Sequence, residues 1–278
     1  MNKEVVHIKS HGMTLIELLV SLLLSTIIAS MMFYAFLFIK KCVMTQQALV
    51  RIQVNARTID YLLGKALRNS GRFGCQQFKD LRISAKEGVS MMAYGLTDNA
   101  GIKGVNVDDL PKAPSGRQRV LQRAVPANDL LWLQSADPLK SGATIKPGTV
   151  IIASDCQQAT LFRWDEKYVV PQSLTLNRLS SSVFYVGKTK RTNANHKPIY
   201  ALYSTDFNGR TMELVEGVEQ LSFSYGQLKK GQLIYQRANE VDDWFAIVSI
   251  RLNALLNSIE DNDIKKRWSF EWPLMANN

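Results

Sequence analysis

The chain has 278 residues, 46% of them apolar and 21% charged, which is enough for one globular domain of ~200 residues beside a long apolar segment, or for two smaller ones. Three cysteines without a CxxC spacing argue against a redox motif and against a zinc knuckle. The formal charge of +10 suits solubility, an anionic surface or DNA alike and does not choose among them.

Residues 18 to 39 come first in the argument because no charge interrupts them. At ~1.5 Å per residue they form about 33 Å of helix, enough to cross a bilayer core. The run is apolar all round, so it belongs in a membrane or among other helices. Glu17 stands just inside its N-terminal end, where a carboxylate is costly in lipid and is read as functional. Ser21, Ser25 and Ala29 recur four apart, as do Thr26 and Ser30, a spacing that lets helix backbones approach closely. Lys3 and Lys9 precede the run and Lys40 and Lys41 follow it, so charge does not orient the span.

From residue 40 to 70 the pattern becomes one-faced. Leu49, Ile52, Ala56, Ile59, Leu63 and Ala66 alternate steps of three and four, the stripe of an amphipathic helix. No proline occurs before Pro111, so residues 13 to 70 are expected to be one helix of about 87 Å, ending at Asn69-Ser70-Gly71. Residues 86 to 119 are rich in glycine and proline and read as a long loop or weakly structured insertion. Strand-like runs follow at 129–133, 149–153, 159–163, 182–186, 199–204, 212–215, 218–225 and 245–252. Asp206-Phe207-Asn208-Gly209 reads as a hairpin turn. The expected fold class is α+β: a long N-terminal helix whose distal half packs on an antiparallel sheet.

Gly12-Met13-Thr14-Leu15-Ile16-Glu17-Leu18 before the apolar run resembles the signal of type IV prepilins and type II secretion pseudopilins. That resemblance implies that a prepilin peptidase cleaves between Gly12 and Met13, that Met13 is the N-methylated residue, where the family usually has phenylalanine, and that Glu17 is an assembly contact. It also implies a leader over 1–12, a helix over 13–70 with the transmembrane part at 13–39, and a globular domain over 71–278 in the periplasm and later on the cell surface. Removing Lys3, Glu4 and Lys9 with the leader changes the charge from +10 to +9. Four further stretches occur in order: Arg72 to Cys75, Ser154 to Phe162, Leu214 to Glu219 and Trp244 to Leu252. Together they resemble the PilW family of minor pilins. The implied function is initiation of a type IV pilus near its tip, with other minor pilins, the major pilin and the inner membrane as partners. A GspJ-like pseudopilin of type II secretion is the alternative, and a DNA-binding pilus subunit a further one.

Chemistry is sparse. His7 and His11 fall in the leader, and His196 stands alone in a polar stretch, as a solvated loop histidine does. No HExxH, GxSxG, Walker A or GxGxxG motif is present, so nothing favours an enzyme and no cofactor or metal is expected. Glu260, Asp261 and Asp263 lack the glycine of a calcium loop, and Asp242-Asp243 reads as a turn. Cys75 and Cys156 stand in the family-like stretches of the exported region, where a disulfide is expected; two buried free thiols are the alternative. Such a bridge would close about 80 residues and contribute ~4 kcal/mol in the chain-entropy model. Cys42 reads as an unpaired helix residue. Basic clusters at Arg117, Arg119 and Arg123, at Lys188, Lys190, Arg191 and Lys197, and at Lys265, Lys266 and Arg267 lack interleaved aromatic residues, so DNA binding is possible but not favoured.

Overall fold

The computed structural model describes residues 14–73, 76–77, 82–86, 101–109, 123–139, 144–155, 158–165, 174–193, 195–206, 209–260 and 264–274. Its first element, α1 (Leu15–Asn69), is a single uninterrupted helix, within two residues of the expected bounds. The chain divides into two units, residues 1–47 and 48–278. In the first unit every residue from Leu15 to Ile39 is exposed, so this apolar half has no buried face of its own.

In the second unit α1 buries Ala48, Ile52, Ala56, Ile59, Leu63, Gly64 and Leu67. The expected stripe is displaced at its ends. Ala48 and not Leu49 begins the buried row, and Leu67 closes it with Ala66 only partly covered, because steps of 3.6 residues carry Leu49 off the contact line.

Fourteen strands follow among the described residues. The larger sheet contains β1 (Arg72–Phe73), β2 (Gln76–Gln77), β3 (Arg82–Ala85), β4 (Ile102–Asn106), β5 (Asp129–Pro138), β6 (Val150–Ser154), β7 (Gln158–Arg163), β8 (Thr175–Thr192), β9 (Pro198–Asp206) and β10 (Thr211–Glu216). Its axis is the 18-residue β8, which pairs with β5 along one edge and with β6 and then β9 along the other. Two of its pairings, β1 with β5 and β3 with β7, are parallel; the rest are antiparallel. The second sheet is antiparallel throughout, with β11 (Val218–Lys229), β12 (Gln232–Gln236), β13 (Ile247–Asn257) and β14 (Lys265–Pro273) in the order β12-β11-β13-β14. The domain therefore has two sheets where the sequence pattern suggested one.

Both sheets share one core with α1. Ile52, Ala56, Ile59, Leu63 and Leu67 join Leu131, Leu133, Phe184, Val186 and Leu202 of the larger sheet. They also join Leu221, Phe223, Tyr225, Ile250, Leu252 and Trp272 of the smaller one. Each Leu, Ile, Val or Phe among them, fully buried, contributes roughly 1.5–3 kcal/mol of transfer free energy. Polar contacts fix the helix on this bed. Asn55 Nδ2 donates to the Glu216 carbonyl at 2.9 Å, and Trp272 Nε1 donates to Asp60 Oδ1 at 2.8 Å. Gly64 faces the same indole closely enough that a Cβ there would lie 2.9 Å from Nε1.

Part of the segment expected to be a loop is a strand. Residues 102–106 form β4, paired to β5 from Ile102–Leu133 to Asn106–Asp129. Gly104, a loop signal in the sequence, is a strand residue covered by the Tyr225 ring: a Cβ would stand 1.8 Å from the phenol oxygen. The last expected strand begins later than the sequence suggested. Trp244–Ala246 is a 3-10 turn, with Asp243 accepting from the Phe245 N–H at 2.9 Å, and β13 starts at Ile247. The turn expected at 206–209 joins β9 to β10, with Gly209 at φ 77° and the Arg210 N–H donating to Asp206 Oδ1 at 2.8 Å.

Candidate assembly site at the head of the helix

The head of α1 begins at Thr14. Its N–H and its hydroxyl both donate to Glu17 Oε2, each at 3.0 Å. The acid thus sits three residues into the helix and caps donors that the first turn leaves open. Both bonds fall on Oε2, leaving Oε1 outside this pair. The side chain is exposed, as are all its apolar neighbours to Ile39.

The serine and threonine hydroxyls along the apolar run are satisfied within the helix. Ser21 Oγ donates to Leu18 O at 3.0 Å, Ser25 Oγ to Ser21 O at 2.6 Å, Thr26 Oγ1 to Leu23 O at 2.8 Å and Ser30 Oγ to Ile27 O at 2.7 Å. Internal bonding of this kind lets small polar residues lie in an apolar medium without an unpaired group. Ser21, Ser25 and Ala29 line a shallow furrow with Leu18, Leu22 and Thr26. The surface offered here is apolar, notched by small residues and headed by one carboxylate. It can bind another helix and a cation.

Gly12 and Met13 lie outside the described residues, as do Cys75, Cys156, Arg117 and Arg119. Cys42 is a free thiol, partly exposed on α1. His196 is exposed in the turn after β8, with its backbone at φ 57° and its N–H on Asn193 O at 3.0 Å. Among the described residues no group of three or more His, Cys, Asp or Glu side chains is placed to hold a metal ion.

Several of the described basic residues are engaged. Arg191 pairs with Glu213 and, at 3.4 Å, with Glu216. Lys265 pairs with Glu219 at 2.8 Å, and Lys266 lies 5.0 Å from the centre of the Trp268 ring. Glu260 of the acidic turn meets Arg51 at 3.0 Å. These pairs consume charge that a nucleic-acid track would leave open.

Sequence reasoning missed a second polar device. Asn128 Oδ1 accepts from the Leu221 N–H and Asp129 Oδ2 from the Phe223 N–H, both at 2.7 Å. The start of β5 thereby closes the part of the β11 edge that β12 does not reach. Burial pushes the Asp129 carboxyl above its ordinary value, against the lowering effect of the Phe223 and Asn106 hydrogen bonds. Tyr225, fully buried near that acid, is raised well above the usual phenol value, chiefly by burial. An Asn-Asp pair at the start of an apolar run is the only trace of this clamp in the sequence, and it reads equally as a turn.

An apolar helix of membrane-spanning length that continues into an antiparallel β domain, headed by a capped acid, is the plan of a pilin. Residues 8–33 match the family model of the prokaryotic N-terminal methylation motif, and residues 183–273, from within β8 to the end of β14, match that of type IV pilus-assembly protein W. The two matches support a type IV pilus-related pilin of the PilW type, with a prepilin signal. No match is found among curated proteins or solved structures.

Proposed function

We propose that the protein is a minor pilin that helps to initiate assembly of a type IV pilus, at its tip and in company with other minor pilins. The observation that carries this reading is the uncharged, exposed first half of α1, headed by Glu17, most of it within the segment that matches the methylation motif. In this reading prepilin peptidase cuts between Gly12 and Met13 and Met13 is N-methylated. Residues 13–39 hold the subunit in the inner membrane, with the domain after residue 70 in the periplasm. On assembly the helix leaves lipid for a bundle of like helices. There Glu17 exchanges its bonds to Thr14 for the cationic N-terminal amine of a neighbouring subunit. A buried acid left without its partner costs ~3–5 kcal/mol, so this contact selects the vertical register of neighbours. Cys75 and Cys156 form a disulfide in the same exported state, with Cys42 free.

N-terminal mass spectrometry of membrane-extracted protein tests the processing step. A methylated Met13 terminus is expected, and an intact Met1 in cells with active peptidase would overturn the assignment. Non-reducing peptide mapping of the same sample is expected to give one bridged pair that excludes Cys42. Glu17→Ala is expected to leave membrane insertion intact while reducing co-purification with other minor pilins and the number of surface pili. Full docking and piliation by that variant at equal membrane levels would remove Glu17 from the mechanism.

A further inference from the structure

The second sheet has two edges, and they are built differently. β14 ends in Pro273 and begins with Lys265, Lys266 and Arg267, features that keep an edge strand from pairing with other chains. At the opposite side of the sheet β11 is closed in two ways. The N–H groups of Leu221 and Phe223 are taken by Asn128 and Asp129, and residues 225–229 pair with β12. The free edge of β12, Gln232-Leu233-Ile234-Tyr235-Gln236, has neither charge nor proline, and no described strand pairs with it.

The register shows which groups that edge presents. Lys230 and Gly231 form the two-residue turn between β11 and β12, with φ 53° and 78°, the signature of a type I′ turn. Such a turn closes on a hydrogen-bonded pair, here Lys229 with Gln232, so Ile234 and Gln236 also point their backbone groups at β11. The N–H and C=O of Leu233 and Tyr235 therefore point away from the sheet. Apolar side chains are exposed on both faces beside them: Leu233 at 44%, Ile234 at 41% and Leu228, the cross-strand partner of Leu233, at 61%. Lys229 and Lys230 stand exposed at the turn.

We infer that β12 is a docking edge that accepts an extended segment of a different polypeptide as a fifth strand. Backbone bonds to Leu233 and Tyr235 hold the segment, and apolar residues on it cover Leu233 and Leu228 on one face and Ile234 on the other. An acidic residue of the segment lies against Lys229 and Lys230. Those lysines also select against a second copy of this chain, since antiparallel edge-to-edge pairing, with Leu233 opposite Tyr235, would set the basic turn of each copy beside the exposed Arg237 of the other. This inference concerns the β domain alone and stands or falls apart from the role of Glu17.

The test uses the full-length protein in piliated cells, with p-benzoylphenylalanine in place of Gln232 as photo-crosslinker and mass-spectrometric mapping of the adduct. The expected result is a crosslink to one extended, acid-containing segment of a different protein. It should fall at least tenfold in Leu233→Pro, which removes an outward N–H at an edge where proline is tolerated, and in Ile234→Lys, which charges one face. Thermal unfolding identifies which of the two variants keeps the fold, and either suffices. If both unfold, Leu228→Lys, outside β12, takes their place with the same expected loss. An adduct to a second copy, an adduct to lipid, no adduct at wild-type protein level, or an adduct indifferent to a folded variant would each overturn the inference.

Discussion

Asn128 and Asp129 do at the edge of the second sheet what a further strand would do elsewhere. They accept from two backbone N–H groups that point off β11, and Asn128 is buried while it does so. Asn128→Ala leaves the Leu221 N–H buried without an acceptor, at a cost of about 1–3 kcal/mol. Denaturant unfolding in detergent should show that loss, while the exposed Gln220→Ala stays within ~0.5 kcal/mol of wild type. Asp129 adds a pH dependence whose direction follows from its raised folded-state value. Between the ordinary carboxylate range and that raised value, the folded chain binds more proton at Asp129 than the unfolded chain does. This residue's contribution to stability therefore falls as pH rises through the window. The expected outcome is that Asp129→Asn, which keeps an acceptor oxygen for Phe223, removes this component from the melting temperature measured between acid and neutral pH. An unchanged slope would show that another group sets it.

At the scale of elements, what the sequence disclosed was whatever carried its own period. The helix was legible because an uncharged run and then a stripe at steps of three and four continue without a proline. β5, β9 and β11 were legible as alternating or apolar runs of Leu, Ile, Val and aromatic residues. β14 was not, because Lys265-Lys266-Arg267-Trp268-Ser269-Phe270-Glu271-Trp272 reads as a charged tail until the stacked Trp268, Phe270 and Trp272 are seen to share the face that meets α1. β12 was hidden by the lysines at its turn, and β4 by Gly104, whose missing side chain is what admits Tyr225. The candidate site divides in the same way. Glu17 was visible from its spacing, whereas its bonds to Thr14 and the clamp at 128–129 arise only in the folded chain. The type I′ turn carries a prediction of its own. Gly231→Ala places a Cβ at φ 78° and should lower stability by about 1 kcal/mol, whereas Lys230→Asn, a residue suited to that conformation, should hold or raise it. Thermal melts of the two variants side by side provide the check.

For the molecule as a whole, part of the formal charge of +10 is answered in place, since Arg191 and Lys265 are held by Glu213 and Glu219. The full-length protein in detergent is expected to bind duplex DNA only weakly, with an affinity that falls steeply with salt as counterion release requires. Binding that persists at physiological salt in a fluorescence titration would reverse this. The contact between Trp272 and Asp60 has a consequence of another kind. These residues are 212 positions apart, and most of the strand residues that cover the α1 stripe come from the second half of the chain. On the ribosome, Ile52, Ile59 and Leu63 must wait for nearly the whole polypeptide before most of their cover exists. Folding that depends on contacts this distant is slow, and it leaves a greasy helical surface open to aggregation in the interval. A chain truncated just before β14 would therefore never close that interval: it would reach the membrane through its intact N-terminal half and remain there as a protease-sensitive species.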